Sequence, residues 1–368
     1  ATGHGEAALS QGSAEDSQRQ SSTSGSKDNS TTPSQSIPQK TWVEETERIW
    51  VVDRKAWTES VPIYGSVEVS VCNICGTDIT GNTSALGKSV QAGAQAAVDE
   101  INAAGGINGT QIEFNFQDDE ADAEKSVNAY NSLKDWGMQM LMGTVTSTPC
   151  TAVVEKTHED NMFQLTPSGS AVESIKYDNA FRVCFSDPGQ GTASAKYIGE
   201  NKLASKVAVI YNSSDVYSSG VYQKFAEEAK NQDFEVVSAE AFTEDSKTDF
   251  SVQLQKAKDA GADMVFLPIY YTEASLILTQ ANSMGYAPTF FGCDGLDGLL
   301  AVKNFDTKLA DGVMLLTPFA ADADDEKTQA FVSAYKEAYG DTPNQFAADT
   351  YDAIYIMKAA AEKAGVTA

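Results

Sequence analysis

Apolar residues recur along this chain in two alternating patterns from about Gly87 onward. Helical spacing is found in GKSVQAGAQAAVDEINAAGG, which ends at a double glycine, and in DAEKSVNAYNSLKDWG, which begins at an Asp cap. Alternation in TQIEFNF predicts a strand, and short apolar runs predict others: MQMLMG, MFQLTP, KVAVIYN, ADMVFLPI, PTFFGC and GVMLLTPF. Further helices are predicted around 190–200, 217–231, 248–259, 272–284, 325–338 and 346–364. This alternation predicts parallel sheets covered by helices on both faces.

The chain of 368 residues exceeds the size of one hydrophobic core, which reaches about 250–300 residues. Its predicted strands are unequally spaced and fall into two groups that are separated near residue 185. This spacing favours two doubly wound α/β lobes joined by a hinge over a single barrel. We expect lobe 1 to comprise residues 81–186 and 315–368, with its C-terminal end incomplete, and lobe 2 to comprise residues 187–314.

The N-terminal residues differ in composition from the rest. Residues 1–40 are rich in Ser, Thr, Gln, Gly and Asn and have no aromatic side chain, so they cannot bury enough surface to offset their ordering entropy. We expect them to form a disordered tether. Residues 41–80 hold three of the four tryptophans and a CxxC pair, Cys72 and Cys75, within the partly strand-like run SVEVSVCNIC.

The charge of the chain excludes two classes of partner. It carries 26 Lys and Arg against 52 Asp and Glu, a formal net charge of −26. So acidic a chain repels phosphate backbones and anionic lipid heads, and we expect neither nucleic-acid binding nor electrostatic docking to membranes. No apolar run is long enough to span a bilayer. The chain opens without the pattern of a signal peptide, so we expect any such peptide to have been removed.

The sequence shows no clear pattern of a catalytic, metal or cofactor site. The two histidines are His4 in the polar N-terminal region and His158, which is about three helical turns from Ser147 and faces elsewhere. A zinc site needs four ligands, and Cys72 and Cys75 supply two, which favours a local disulfide or two reduced thiols. The acidic clusters lack the glycine spacing of calcium loops, and the glycine-rich GGING follows a helix rather than a strand, which excludes a dinucleotide fingerprint. We therefore expect no enzyme activity, metal or cofactor.

Candidate ligand-binding residues follow the predicted strands, because ligands of doubly wound sheets bind at the carboxyl ends of strands. Hydroxyl clusters at 144–148 and 166–170 offer hydroxyls and amides without a cation, which suits a small carboxylate, although each cluster could also cap a helix. In the second half, Tyr270 and Asp294 could receive an ammonium. Asp294 precedes a glycine, so a role in a turn is the alternative.

Several segments of residues 84–364 carry a family resemblance. They are LGKS leading into VDEINAAGGINGTQIEF, then FQDDEADAEKSVNAY, LMGTVTSTPC, QLTPSGS, FRVCFSDPGQGTASAKYI and QFAADTYDA. In this order they resemble the branched-chain amino-acid-type substrate-binding proteins of ABC transporters, the type I periplasmic binding protein family. The resemblance implies a receptor outside the cytoplasm, in the periplasm or lipid-anchored at the cell surface, that closes two lobes on an aliphatic amino acid. Its implied partners are the permease subunits, with membrane contact only through a lipid anchor or tether.

The resemblance also implies roles for individual residues. The implied ligand-binding residues are Ser147, Thr148, Ser168, Gly169, Ser170, Tyr217, Tyr270, Asp294 and Phe346. Ser147 matches the serine that takes the α-carboxylate and Asp294 the acid that pairs with the α-ammonium, while Asp187 and Gln190 sit at the crossover between lobes. An aromatic residue common in the family is absent at Leu86, which implies a wider side-chain pocket. A receptor or sensor on the same fold for another small ligand, of an amide, urea or amino-acid-like type, is the main alternative, ahead of an amidase-type hydrolase.

Overall fold

The computed structural model describes residues 79–366. The predicted tether, the segment with Cys72 and Cys75, and residues 367–368 lie outside the described residues. The helices are α1 (Ser84–Ala103), α2 (Ala123–Trp136), α3 (Ser147–Glu159), α4 (Asp187–Glu200), α5 (Val216–Glu228), α6 (Ser251–Asp259), α7 (Tyr271–Ser283), α8 (Glu326–Tyr339) and α9 (Gln345–Ala364). The strands are β1 (Met140–Met142), β2 (Phe163–Thr166), β3 (Ala180–Arg182), β4 (Lys206–Asn212), β5 (Glu235–Phe242), β6 (Met264–Leu267), β7 (Thr289–Gly292) and β8 (Met314–Leu315).

The strands form two parallel sheets, which confirms the predicted fold class of two α/β lobes. One sheet has the order β1-β2-β3 and the other the order β5-β4-β6-β7-β8, with every neighbouring pair parallel. The predicted strand TQIEFNF is assigned no strand of its own and shows isolated bridge residues at Thr110, Glu113 and Asn115. Of GVMLLTPF, only Met314 and Leu315 pair in the sheet. β3 and β5 were not predicted from the sequence.

Capping side chains set the helix boundaries near the site. Asp122 accepts hydrogen bonds from the first-turn amides of α2, which ends at Gly137 with a φ of 107°, as its sequence predicts. Ser186, Asp215 and Asn344 cap α4, α5 and α9 in the same way. These helices therefore begin at fixed residues, which places their first turns next to the ends of the strands.

Helix α9 completes lobe 1 from the far end of the chain. It lies so close to α1 that a Cβ on Gly93 would come within 2.2 Å of the carbonyl oxygen of Ala347. Ile101 of α1, Leu165 of β2 and Met357 of α9 belong to one buried apolar cluster. The first lobe is thus assembled from segments at both ends of the described chain.

A second apolar cluster joins the lobes. It contains Leu86 of α1 and Phe346 of α9 together with Leu267 and Ile277 of the larger sheet and its helix α7. The amide of Ala85 also donates to the Tyr271 hydroxyl at 3.0 Å. The space between the two sheets is therefore bounded by apolar side chains on one side.

Candidate functional site

The hydroxyls predicted to bind a carboxylate meet at the start of α3. Ser147 is 1% exposed, and its Oγ lies 3.4 Å from Oγ of Ser170 and accepts the amide of Ala171 at 3.1 Å. No side chain caps α3, although Thr146 occupies the cap position. The buried Thr146 hydroxyl has no hydrogen-bond partner among the described residues. The first turn of α3 and its hydroxyls can therefore accommodate an anionic group.

The second hydroxyl cluster is tied into its own loop. The Ser168 hydroxyl donates to the carbonyl oxygen of Val145 at 2.6 Å, and the amide of Gly169 donates to the Thr166 hydroxyl at 2.7 Å. A Cβ on Gly169 would lie 2.9 Å from Sγ of Cys150, so the close approach of this loop to α3 requires glycine. Ser168 and Gly169 thus hold the loop in place and leave Ser170 beside Ser147.

Asp294 begins a short turn directly after β7. It is 4% exposed, its main-chain amide donates to Oε1 of Gln190 at 3.2 Å, and its carbonyl accepts from Nε2 of Gln345 at 3.1 Å. Oδ1 of its carboxylate has no hydrogen-bond partner within residues 79–366. Burial raises the pKa of Asp294 to about 6, against the effect of the Tyr217 hydroxyl, which lowers it. The backbone is fixed by two glutamines while the side chain keeps capacity for a cationic partner.

Two tyrosine rings lie beside this carboxylate. The ring centroids of Tyr217 and Tyr270 are 5.1 Å apart, and the Tyr217 hydroxyl accepts the amide of Gly295 at 3.0 Å. Asp294 contributes to raising the pKa of both tyrosines, after the larger effect of burial. The predicted aromatic residues and the predicted carboxylate are therefore brought together.

Thr148 makes a contact that the sequence did not predict. Its hydroxyl donates to Oδ1 of Asp215 at 3.0 Å and accepts the amide of Val216 at 3.4 Å. Asp215 also caps α5 by accepting the amide of Ser218 at 2.9 Å. Thr148 thus links the first turn of α3, in one lobe, to the first turn of α5, in the other.

Asp187 and Gln190 belong to the wall of the site. Asp187 is the first residue of α4 and is 2% exposed, and Gln190 is fully buried one turn later. Burial raises the pKa of Asp187 to about 8. The sequence placed both residues at the crossover between lobes and not in the binding set. The predicted binding set did not include Thr146 or Gln345. Thr146 lies in the hydroxyl run 144–148, and Gln345 begins the segment QFAADTYDA, so both residues stood in segments that the sequence had singled out.

An apolar wall completes the site. Phe346 is 3% exposed and lies in the same cluster as Leu86 and Leu296, with the partly buried Val145 and Tyr270 packed against them. The site therefore offers three kinds of group. The hydroxyls and the N-terminus of α3 suit a carboxylate, the Asp294 carboxylate suits an ammonium, and the apolar wall suits an aliphatic side chain.

The described residues offer no catalytic or metal-binding arrangement here. His158 is exposed and stacks on Tyr177 with ring centroids 3.7 Å apart, and the Ser147 hydroxyl contacts Ser170 and Ala171 instead of a base. Within residues 79–366, no three His, Cys, Asp or Glu side chains are grouped to hold a metal ion. Nor does any helix in this range combine the length and apolarity needed to cross a bilayer.

Comparison with known proteins gives a consistent result. Residues 76–368 match the family described as periplasmic binding protein. The leucine-, isoleucine-, valine-, threonine- and alanine-binding protein of Pseudomonas aeruginosa is 28% identical over 289 residues, which cover 78% of this chain and 76% of the relative. The Leu/Ile/Val-binding protein BraC3 of Rhizobium johnstonii is 30% identical over 290 residues, which cover 78% and 77%.

A solved structure agrees with these relatives. The branched-chain amino acid transporter substrate-binding protein LivJ of Streptococcus pneumoniae, in complex with isoleucine, superposes with a TM-score of 0.75 at 29% identity. The superposition covers 82% of this chain and 86% of LivJ. The resemblance found in the sequence is thereby confirmed.

Proposed function

Because the chain belongs to the periplasmic binding protein family, we propose that it is the extracytoplasmic receptor of an ABC importer and that its ligand is a branched-chain aliphatic amino acid. Similar proteins are named as binding leucine, isoleucine and valine, and LivJ was solved with isoleucine. The family consists of substrate-binding receptors, so the chain binds its ligand without catalysis. Permease subunits as partners and attachment through a lipid anchor or tether are part of the proposal.

The observation that carries the proposal is the buried carboxylate of Asp294, whose Oδ1 has no hydrogen-bond partner within the described part of the chain. A buried charge of this kind needs a cation to offset its desolvation. In the proposed pose the ligand ammonium meets Asp294, beside the paired rings of Tyr217 and Tyr270. Its carboxylate meets the first turn of α3 at Ser147.

The apolar wall accounts for the rest of the ligand. Leu86 and Phe346 are at most 3% exposed and belong to the apolar cluster that residues of both lobes share. An aliphatic side chain placed there would lose its contact with water, and its burial stabilises the complex by about 1.5–3 kcal/mol. A charged ligand side chain would find no ion-pairing partner among these apolar residues, which favours leucine, isoleucine or valine.

A thermal-shift screen tests the proposal with ligands that each lack one group. Leucine, isoleucine and valine should raise the melting temperature, because a ligand at 100 times its Kd adds about 2.7 kcal/mol of stability. 4-Methylpentanoate, which lacks the amine, and 3-methylbutylamine, which lacks the carboxylate, should raise it far less. Ser147→Ala should weaken leucine binding only modestly, since neighbouring amides and hydroxyls remain. A shift caused by sugars or nucleotides and by no amino acid would refute the proposal.

A further inference from the structure

Asp187, the first residue of α4, and Asp294, directly after β7, both lie where α4 and α5 meet. Asp187 and Gln190 are three residues apart on α4 and share one face, and Gln190 accepts the main-chain amide of Asp294. On α5, a Cβ on Gly220 would lie 3.2 Å from Oδ2 of Asp187. Tyr217, three residues earlier on α5, accepts the amide of the residue after Asp294. The two carboxylates are therefore neighbours in one enclosed space.

Both carboxylates receive hydrogen bonds, Asp187 from Ser170 and Asp294 from Tyr217, but one oxygen of each is left without a partner among the described residues. The residues are 2% and 4% exposed, and within residues 79–366 Oδ1 of each lacks a hydrogen-bond partner and neither side chain forms an ion pair. The charge of Arg182 lowers the pKa of Asp187, but its Nη1 donates to the carbonyls of Ser170 and Ala171, both at 2.9 Å. Two neighbouring buried carboxylates are costly to ionise together when the nearby cation, Arg182, hydrogen-bonds to carbonyls instead of pairing with either of them, so such a pair retains a proton.

The pKa values agree with this geometry. Burial, together with the charges of Asp294 and Asp215, raises the pKa of Asp187 to about 8, against the hydrogen bond from Ser170 and the charge of Arg182, which lower it. Burial also raises the pKa of Asp294 to about 6. The charge of Asp294 raises the pKa of Asp187, so the titration of one acid depends on the charge of the other.

Other titratable groups surround the pair. They are Cys184, which precedes α4, Asp215 and Tyr217 at the start of α5, Tyr270 before α7, Cys293 and Asp297 on either side of Asp294, and Asp349 on α9. Burial raises the pKa of the thiols and phenols well above their ordinary values, so they stay neutral at pH 7. Burial also raises the pKa of Asp215 and Asp297, but each carboxylate accepts a main-chain amide, at 2.9 and 3.2 Å, which lowers it. Oδ1 of Asp187 and Oδ1 of Asp294 have no such partner among the described residues. The exchangeable proton is therefore assigned to Asp187 and Asp294.

We infer that Asp187 and Asp294 form an acid pair that shares a proton, and that the ligand ammonium displaces this proton to solvent when it binds. This inference rests on the proposed function, since it takes the ligand to be an amino acid. The ammonium supplies the positive charge that allows both carboxylates to ionise. The O–H bond of one carboxylic acid breaks, and the proton passes to water or buffer. Asp187 thereby contributes to selecting ligands that carry a protonated amine.

Titration calorimetry with leucine at pH 7, in phosphate, HEPES and Tris, measures the number of protons released. The slope of the observed enthalpy against the ionisation enthalpy of the buffer gives this number. At pH 7 an acid with a pKa of about 8 is about nine-tenths protonated and one with a pKa of about 6 about one-tenth, so about one proton should leave. At pH 8 the number should fall to about one half. The affinity should rise with pH across this range, because binding releases protons.

Two variants locate the proton. Asp187→Asn should still bind leucine but release fewer than about 0.3 protons at pH 7, since only Asp294 remains to titrate. Asp119→Asn is the matched control, because burial also raises the pKa of Asp119 to about 6 but the residue lies in lobe 1, between α1 and α2. This control should release the same number of protons as the wild type.

The outcomes separate the two proposals. Tight leucine binding by the wild type with fewer than about 0.2 protons released at pH 7 would overturn the acid pair and leave the proposed function intact. Absence of binding by every amino acid would overturn the proposed function and the acid pair with it. If Asp187→Asn does not fold, the number of protons that the wild type releases at pH 7 and at pH 8 still tests the acid pair.

Discussion

Replacing Asp294 with asparagine tests the proposed ammonium contact without disturbing the turn that holds this residue. The turn at Asp294 is held by its main-chain amide and carbonyl, which contact Gln190 at 3.2 Å and Gln345 at 3.1 Å, and asparagine keeps both contacts. The substitution removes one buried negative charge and changes the volume of the side chain very little. Any effect on binding therefore reports the charge itself.

The expected loss of affinity is large. Removing one partner of a buried charge pair costs about 2–5 kcal/mol, because the other charge stays desolvated. Cation–π attraction from Tyr217 and Tyr270 contributes about 0.5–2 kcal/mol and does not replace the carboxylate. At about 1.4 kcal/mol per factor of ten, leucine should bind about thirtyfold to a few thousandfold more weakly. The carboxylate of Asp187 remains nearby, so binding should be weakened and not abolished.

The stability of the ligand-free protein should not fall in the Asp294→Asn variant, in contrast to its affinity for leucine. A shift of the Asp294 pKa from 3.8 to about 6 corresponds to about 3 kcal/mol at 1.36 kcal/mol per pKa unit. Because the folded state has the raised pKa, this cost applies in full above pH 6 and disappears as the pH falls below 4. At pH 7 the asparagine variant should therefore be as stable as the ligand-free wild type or more stable.

Calorimetry and urea unfolding at pH 7 measure the two effects side by side. Asp297→Asn is the matched control, since it makes the same change in the same turn and keeps an oxygen to accept the amide of Gln345. Its leucine affinity should stay within about threefold of the wild type, well under one kcal/mol. Equal affinity of Asp294→Asn and the wild type would mean that Asp294 serves the turn and not the ligand.

Three further predictions concern the lobes and their contact. Thr148→Val removes the hydrogen bond between α3 and α5, worth about 0.5–1.5 kcal/mol, so stopped-flow measurements should show ligand release about 2–10 times faster, while Thr151→Val should leave it unchanged. Gly93→Ala forces a methyl group against α9 and should lower the free energy of unfolding by about 1–3 kcal/mol in urea titrations; an unchanged midpoint would show that the helices can separate freely. Hydrogen exchange should be faster across residues 84–143, where β1 is the one assigned strand, than across 206–293, which hold four strands; equal protection would contradict this.

The sequence predicted the fold where apolar runs were continuous and failed where strands were exposed. KVAVIYN and ADMVFLPI became β4 and β6, which lie inside the larger sheet. β5, with the sequence EVVSAEAF, was missed because this edge strand contains Ser238 and Glu240 between its apolar residues, so it lacks a continuous apolar run. β3 was missed because three residues are too few to form a pattern.

The sequence predicted the candidate residues at the ends of the strands, but not the contacts between residues that lie far apart in the chain. Ser147 and Asp294 directly follow predicted strands, so the general rule for doubly wound sheets points to them. The link between Thr148 and Asp215 joins residues 67 positions apart, and that between Gln190 and Asp294 joins residues 104 apart. Such contacts depend on how the lobes meet, which local periodicity does not encode. The roles assigned to these residues stay predictions until binding is measured.

The contribution of α9 to the first lobe has a consequence for how the protein is made. During synthesis every element of the larger sheet, up to β8, emerges before α9, whereas α1 waits for a helix that begins at residue 345. Contacts between such distant segments form late because closing the intervening loop costs entropy. The first lobe therefore stays unfinished until nearly the whole described chain has left the ribosome. For a protein that acts outside the cytoplasm, this delay lengthens the time in which the chain can still be threaded across a membrane.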